Sequence, residues 1–244
     1  MMQTVREHYP NLKLYSLSEK AITINFGDSI SADLLTQITA VNQLVQEQPF
    51  PGMITTVPAY STLTVYFDPL QVYKSTLDGW RCLDKVGNYI LSLSLTDRQS
   101  TLNTIAPIII PTCYGGSYGP DLEAVAAMHH LSSEAVISIH SAAAYIVYMI
   151  GFVPGFAYLG GMDKILASPR KATPRAAVPA GSVGIAGEQT GVYPLDTPGG
   201  WQIIGRTPLS MFDTDRTQPS LLKAGDRVQF KPITTSQFKQ YQLT

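Results

Sequence analysis

The 244-residue chain is long enough to bury a sizeable hydrophobic core without disulfides, and its charges nearly cancel, with 17 Lys and Arg against 18 Asp and Glu. This balance gives no field that would attract nucleic acid or an anionic membrane. Two cysteines are too few to staple a secreted chain of this size, and no apolar run reaches membrane-spanning length, so we expect a cytoplasmic protein without nucleic-acid or membrane partners.

The first hundred residues alternate patterns typical of strands and helices. Residues 20–26 (KAITINF) alternate apolar and polar side chains, which predicts a half-buried strand. Residues 31–48 place apolar side chains at helical spacing behind Ser31, a favourable N-cap, which predicts an amphipathic helix. Two strands and a second helix complete the pattern, over residues 52–57, 62–67 and 70–93. Helices on one face of a small antiparallel sheet make an α+β domain, which we place at residues 1–98.

Residues 96–104 (TDRQSTLNT) are polar and lack periodicity, which predicts a linker. After it we expect a strand, two helices and a further strand, over residues 105–111, 120–130, 132–140 and 143–150. The region 151–208 then holds eleven of the 19 glycines and seven of the 17 prolines, and short strand patterns such as WQIIG and RVQF alternate with turns rather than with long helices. This favours a closed β-barrel over a doubly wound sheet, and we place the barrel domain at residues 105–244.

Region 151–208 also has three acidic residues against five basic ones, an excess that suits an anionic ligand. Within it, PRKATPR (residues 169–175) repeats a Pro-Arg pair, so the guanidinium groups of Arg170 and Arg175 stand on backbone that proline stiffens. Planar bidentate donors of this kind suit carboxylate or phosphate oxygens. The alternative is a solvated turn with two exposed arginines.

His140 lies at the end of a predicted helix, where it could carry a proton or, equally, be a hydrogen-bonded residue of the domain interior. GGSYG (residues 115–119) fits the G-x-S-x-G pattern of hydrolase nucleophiles. We assign it no catalytic role, because no parallel sheet precedes it and His140 is the last histidine of the chain. The sequence contains no recognisable metal-ligand spacing and no G-x-x-x-x-G-K-[ST] nucleotide loop.

A series of ordered motifs carries a resemblance to one family: YGGSYGPDL, His140, GFVPGFAYLGGMD, SPRKATPR, VPAGSVGIAGEQTGVYP, TPGGWQIIGRTP and LLKAGDRVQF. The chain closely resembles the KipI-like family, also called allophanate hydrolase subunit 1 and described as the B subunit of the bacterial ATP-dependent 5-oxoprolinase. The resemblance spans the chain and is most specific between Tyr114 and Pro208. One departure is Ser117, where we expect family members often to carry an acidic residue.

The resemblance implies an α+β N-terminal domain followed by a cyclophilin-like β-barrel domain. It also implies a subunit of an ATP-dependent cyclic amidohydrolase, which opens 5-oxo-L-proline to L-glutamate while ATP is hydrolysed. The implied partners are a KipA-like C subunit, with an oxoprolinase A subunit. ATP would bind at a site shared with the partner subunit, and no metal is implied. The barrel implies no cyclophilin activity, since a fold does not determine a function.

Candidate site residues follow from the resemblance. We expect the arginines to hold carboxylate or phosphate, a histidine to move or donate a proton, and a glutamine to orient the substrate amide. The predicted catalytic residues are His140, Arg170, Arg175 and Gln189. The predicted substrate-binding residues are Phe152, Gly155, Phe156, Ser182 and Thr190, with Tyr158 beside the two phenylalanines as a cleft wall.

Two other functions stay open on the sequence alone. A member of this family is described as inhibiting a sensor histidine kinase, and in such a regulator the glycine-rich face of the barrel would be a docking surface. Related domains also occur in urea carboxylase and allophanate hydrolase systems, where they are fused into longer chains.

Overall fold

Buried apolar side chains form separate cores before residue 96 and after residue 105. The chain divides accordingly into two units, residues 1–104 and residues 105–244. The computed structural model describes residues 3–95 and 106–241, and the predicted linker over residues 96–104 lies outside the described residues. None of the described helices has the length and apolarity needed to cross a lipid bilayer.

The first unit combines a small sheet with helices. Its elements in chain order are β1 (Gln3–Thr4), α1 (Val5–His8), β2 (Lys13–Ser18), β3 (Ala21–Asn25), α2 (Ala32–Glu47), β4 (Met53–Pro58), β5 (Thr62–Phe67), α3 (Pro69–Lys74), α4 (Cys82–Ser92) and β6 (Ser94–Leu95). The antiparallel sheet has the strand order β2-β3-β5-β4. Ser31 caps α2 by accepting a hydrogen bond from the Leu34 N–H, and Ile38 and Val41 of that helix share a core with Ile24 of the sheet.

The predicted helix over residues 70–93 is wrong, because two helices occupy this stretch. Helix α3 begins behind Asp68, whose carboxylate accepts hydrogen bonds from two N–H groups of the first turn, and it ends at Lys74. Gly79 then has a φ of +139°, and a Cβ atom there would lie 2.6 Å from the Lys85 nitrogen. The backbone at Gly79 is therefore not helical, and it separates the two helices. Strand β2 is absent from the prediction because its mostly exposed residues give no alternation of buried apolar side chains.

The second unit is a closed barrel with helices packed around it. Its elements are β7 (Ile108–Tyr114), α5 (Leu122–Met128), α6 (Ser133–Ala142), β8 (Tyr145–Ile150), β9 (Ala157–Gly160), β10 (Arg175–Val178), β11 (Ser182–Ala186), β12 (Gln189–Val192), β13 (Thr197–Gly199), β14 (Gln202–Arg206), β15 (Arg227–Pro232) and α7 (Thr235–Tyr241). The barrel has the order β11-β12-β9-β8-β15-β7-β14 and closes where β14 pairs with β11. The predicted fold class, an α+β part followed by a β-barrel, is confirmed.

Side chains of the barrel strands alternate between the apolar interior and an outer layer. On β11, Val183 and Ile185 belong to the interior core, whereas Ala186 belongs to a second core. On β14, Ile204 belongs to the interior and its neighbour Ile203 to the second core. The second core also contains Phe156, Val178, Tyr193 and Trp201. The barrel therefore carries an aromatic layer that is separate from its interior.

Candidate functional site

His140 is fully buried and packs against the rings of Tyr145 and Phe230, which belong to the interior core. Its Nδ1 lies 2.8 Å from the hydroxyl oxygen of Tyr114, and its Nε2 lies 2.9 Å from Thr190 Oγ1. Helix α6 thus delivers an imidazole whose two ring nitrogens are both engaged by side chains of barrel strands.

The donor and the acceptor of each hydrogen bond among Tyr114, His140 and Thr190 can be assigned. The Thr190 hydroxyl donates its proton to the Gly184 carbonyl oxygen at 2.9 Å, so Thr190 Oγ1 must accept from the Nε2–H of His140. The Nδ1 of His140 is then an acceptor, and the Tyr114 hydroxyl donates to it. Burial lowers the pKa of His140 to about 3, so the imidazole is neutral in this chain of hydrogen bonds.

This placement does not favour the proton-transfer role predicted for His140, and that role stays a prediction. A general acid or base needs a pKa near the working pH and contact with its reactant. His140 has neither, because it is uncharged near neutral pH and is enclosed by its partners. Thr190, predicted to bind substrate, is also fully buried and belongs to the same hydrogen-bond chain. Both residues support the barrel from inside.

Five aromatic rings form a connected set of contacts on the outer layer, and we call them the aromatic cluster: Phe152, Phe156, Tyr158, Tyr193 and Trp201. Phe156 is central, since its ring centroid lies 4.7 to 5.6 Å from those of the other four. A Cβ atom at Gly191 of β12 would lie 3.1 Å from the rings of Phe156 and Trp201. The absence of a side chain at Gly191 therefore lets both rings lie close to the strand.

The turn that carries the first ring of the cluster is strained. Phe152 has a φ of +68°, an unfavourable conformation for a bulky residue, and its side chain is 61% exposed. Gly155 follows with a φ of +81°, and a Cβ atom there would lie 2.7 Å from Phe212 Cβ. Only glycine fits this position, and the turn it allows holds Phe152 out toward solvent while Phe156 is buried.

Residues 168–175 (SPRKATPR), which we call the cationic loop, are fastened to the barrel domain along their length. Two prolines restrict the loop backbone, and contacts from the residue after α5, from β14 and from the residue after β13 hold it in place. These contacts are His129 Nε2 with Ser168 Oγ (2.9 Å), Gln202 Nε2 with the Pro169 carbonyl oxygen (3.0 Å), and Lys171 N–H with the Gly200 carbonyl oxygen (2.7 Å).

Asp121, the residue before helix α5, binds two cations of this loop. Its Oδ1 accepts hydrogen bonds from Arg175 Nη2 at 2.7 Å and Lys171 Nζ at 3.0 Å, and its Oδ2 accepts from the Ile203 N–H at 2.7 Å. Burial raises the pKa of the Asp121 carboxyl, but the hydrogen bonds from Arg175, Ile203 and Lys171 outweigh burial and leave the pKa below its ordinary value. The carboxylate is therefore ionised and cancels one positive charge of the cationic loop.

Arg170 differs from Arg175 in its surroundings. Its side chain is exposed, and we find no ion pair or hydrogen bond for it within residues 3–95 and 106–241. Burial raises the pKa of Tyr158, and the positive charge of Arg170 lowers it in part. The positive charge of Arg170 therefore acts on a ring of the aromatic cluster.

In the part of the chain that the structure describes, no three His, Cys, Asp or Glu side chains are grouped so that they could hold a metal ion.

Comparisons with known proteins place this geometry in a family. Residues 12–222 match the family described as "Carboxyltransferase domain, subdomain C and D". The chain is also 45% identical over 230 residues to the 5-oxoprolinase B subunit of Bacillus subtilis (strain 168), covering 94% of this chain and 96% of that protein. The chain belongs to the family of 5-oxoprolinase B subunits. A further family member, from Haemophilus influenzae, is 40% identical over 220 residues, which are 90% of this chain and 97% of that protein.

Solved structures share the architecture of this family member. The crystal structure of TTHA0988 matches with a TM-score of 0.75 at 33% identity, and the match covers 88% of this chain but only 40% of TTHA0988. The urea amidolyase of K. lactis matches with a TM-score of 0.67, over 94% of this chain and 15% of that enzyme. Its 15% identity shows a common fold alone.

Strand alternation divides the predicted site into two groups. Gln189 and Thr190 are neighbours on β12, so their side chains point to opposite sides of the strand. Thr190 and His140 belong to the interior group. Ser182 is buried and alternates with the interior residue Val183, which puts it on the other side of β11. The remaining predicted residues belong to the aromatic cluster, its turn or the cationic loop: Phe152, Gly155, Phe156, Arg170 and Arg175.

Four residues that shape the outer layer are absent from the predicted site: Asp121, Lys171, Tyr193 and Trp201. From its position ahead of a helix, Asp121 is expected to interact with the helix dipole. Its partners Lys171 and Arg175 lie 50 and 54 residues away in the sequence, so no local pattern signals the contact. Lys171 does carry a signal, because it lies inside the basic segment that also provides the two arginines.

Proposed function

We propose that this chain is the B subunit of an ATP-dependent 5-oxoprolinase. Together with an oxoprolinase A subunit, plus a KipA-like C subunit, it would convert 5-oxo-L-proline, ATP and two water molecules to L-glutamate, ADP and phosphate. Two observations support this proposal: family membership, and sequence similarity over nearly the full length to proteins named as 5-oxoprolinase B subunits. A cytoplasmic location is part of the same proposal.

The observation that carries the proposal is the exposed guanidinium of Arg170, whose positive charge acts on Tyr158 of the aromatic cluster. 5-Oxo-L-proline is a small flat ring with a single carboxylate. An uncommitted guanidinium suits the carboxylate, and the partly exposed rings of Phe152 and Tyr158 offer apolar surface for the ring methylenes. Gln189, which points away from the barrel interior, is the candidate that orients the lactam amide.

ATP places different demands on the chain. A triphosphate needs several cationic or N–H donors, whereas Lys171 and Arg175 already share the carboxylate of Asp121. The cationic loop therefore fits a monoanion better than a nucleotide, and we propose that the other two proteins of the complex complete the ATP site. Bound ATP supplies activation of the lactam carbonyl by phosphoryl transfer. This chain's own residues bind the carboxylate and orient the ring.

Reconstitution with the A and C subunits tests this function. The purified chain is mixed with both of these proteins, and ADP release is measured with and without 5-oxo-L-proline. We expect ADP release only when all three proteins and 5-oxo-L-proline are present. Arg170→Gln should lower kcat/KM about thirtyfold, because a charge-assisted hydrogen bond contributes about 2 kcal/mol.

The matched control is Lys164→Gln, which also removes one exposed positive charge near the loop, from a surface pair with Glu188 at 3.6 Å. Its kcat/KM should change less than about twofold, since exposed ion pairs contribute little. If the unmodified complex released no ADP in response to 5-oxo-L-proline, the proposed function would be contradicted. Equal effects of Arg170→Gln and Lys164→Gln on kcat/KM would show that Arg170 is not part of the site.

A further inference from the structure

Asp121 occupies the N-cap position of helix α5 but does not cap it. Aspartate at an N-cap ordinarily accepts a hydrogen bond from an N–H group of its own first turn. The Asp121 side chain makes no such bond. It turns instead toward β14 and the cationic loop, where it accepts hydrogen bonds from Ile203, Lys171 and Arg175. Helix α5 therefore lacks a side-chain cap, and the carboxylate binds the loop instead.

The contact has the features of a built ion-pair centre. Asp121 is 4% exposed, and the side chains of Lys171 and Arg175 are 31% and 27% exposed. The Nη1 atom of Arg175 is buried and has no hydrogen-bond partner among the described residues. Removing the carboxylate would leave two partly desolvated cations without their anion, which is unfavourable. The loop conformation between Lys171 and Arg175 therefore depends on Asp121.

Arg170 directly precedes the first of these two anchors. Its own side chain is exposed, so the position of its guanidinium depends on the backbone of Pro169 and Lys171. That backbone is held by Gln202 and Gly200, and the Lys171 side chain is held by Asp121. Without the carboxylate, Lys171 and Arg175 would also be released to compete with Arg170 for an anionic ligand.

We propose that Asp121 is a positioning residue of the candidate site, which holds Lys171 and Arg175 so that Arg170 presents its guanidinium to the substrate carboxylate from a fixed backbone. This inference rests on the proposed function for its substrate, whereas the loop anchoring is independent of it. Asp121 does not touch the substrate and acts through the cationic loop.

Trypsin tests the anchoring on the chain itself, because the loop contains the cleavage sites Arg170, Lys171 and Arg175. In Asp121→Asn, cleavage after these residues should be at least about tenfold faster, since local opening becomes easier when its contacts weaken. Cleavage after Lys223, an exposed site outside the loop, should keep its rate. The matched control is Glu123→Gln, an exposed acidic residue of the same helix, which should behave like the unmodified chain. Unchanged loop cleavage, or faster cleavage at all sites alike, would overturn the anchoring role.

Kinetics of the reconstituted complex test the link to substrate. Asp121→Asn should raise KM for 5-oxo-L-proline about tenfold with a smaller change in kcat, but should change KM less than about twofold when Arg170→Gln is already present. A purely structural role predicts the same loss in both backgrounds, and that result would overturn the positioning role. An inactive unmodified complex would instead refute the proposed function, while the trypsin result would still decide the anchoring.

Discussion

The barrel domain contains two polar groupings, one inside the barrel and one outside it, that differ in almost every physical property. Thr190 faces the interior, where it, His140 and Tyr114 bond to one another as neutral groups. Gln189 faces the other side of the strand, and the charged groups of the cationic loop, among them the exposed Arg170, also lie outside the barrel interior. Strand alternation and burial thus give residues of similar chemistry different surroundings. The interior grouping is buried and neutral, and we propose ligand binding for the outer one.

The largest expected effect comes from removing the interior support. His140→Ala leaves a cavity and removes the hydrogen-bond partner of the Tyr114 and Thr190 hydroxyls. We expect the free energy of unfolding to fall by about 4 kcal/mol, from the cavity and the unsatisfied polar groups together. Urea unfolding followed by circular dichroism measures this change. Ser138→Ala, at an exposed position of the same helix, is the control and should change stability by less than about 0.5 kcal/mol. A His140→Ala chain as stable as the control would contradict the supporting role.

Acid should weaken the interior grouping through the same residue. Burial lowers the pKa of His140 from 6.5 to about 3, so between these values the unfolded chain binds a proton that the folded chain does not. The stabilisation is complete above pH 6.5 and is lost as pH falls toward 3, by about 1.4 kcal/mol for each pH unit within that window. The free energy of unfolding of the unmodified chain should therefore fall more steeply between pH 6 and pH 4 than that of His140→Gln. Parallel pH profiles would show that His140 is protonated in the folded chain.

The outer grouping should respond in function while its stability barely changes. Phe152 is 61% exposed, so Phe152→Ala should change the free energy of unfolding by less than about 0.5 kcal/mol. If its ring covers the substrate, KM for 5-oxo-L-proline in the reconstituted complex should rise about fivefold, because about 1 kcal/mol of apolar contact is lost. Leu195→Ala, which also truncates an exposed apolar side chain, is the control. An unchanged KM for Phe152→Ala would exclude this ring from the binding surface.

Local signals in the sequence predict most elements but not the environment of the site. Ser31 and the helical spacing behind it predict α2 to within one residue at each end. The prediction fails over residues 70–93, because the apolar residues of two short helices together resemble the spacing of one long helix. The backbone at Gly79, between the two helices, is not helical. The role of His140 depends on Tyr114 and Thr190, which are 26 and 50 residues away. Burial and pairing across such distances are set by the closed barrel, which no local pattern specifies.

We propose that the exposed guanidinium of Arg170 recognises the carboxylate of 5-oxo-L-proline. Isothermal titration of the assembled complex in the absence of ATP tests it directly, with 5-oxo-L-proline and its uncharged carboxamide as ligands. The unmodified complex should bind the acid about thirtyfold more tightly than the carboxamide, and Arg170→Gln should bind both equally, because the charge-assisted hydrogen bond is lost in either case. An Arg170→Gln complex that keeps the full preference for the acid would contradict the account.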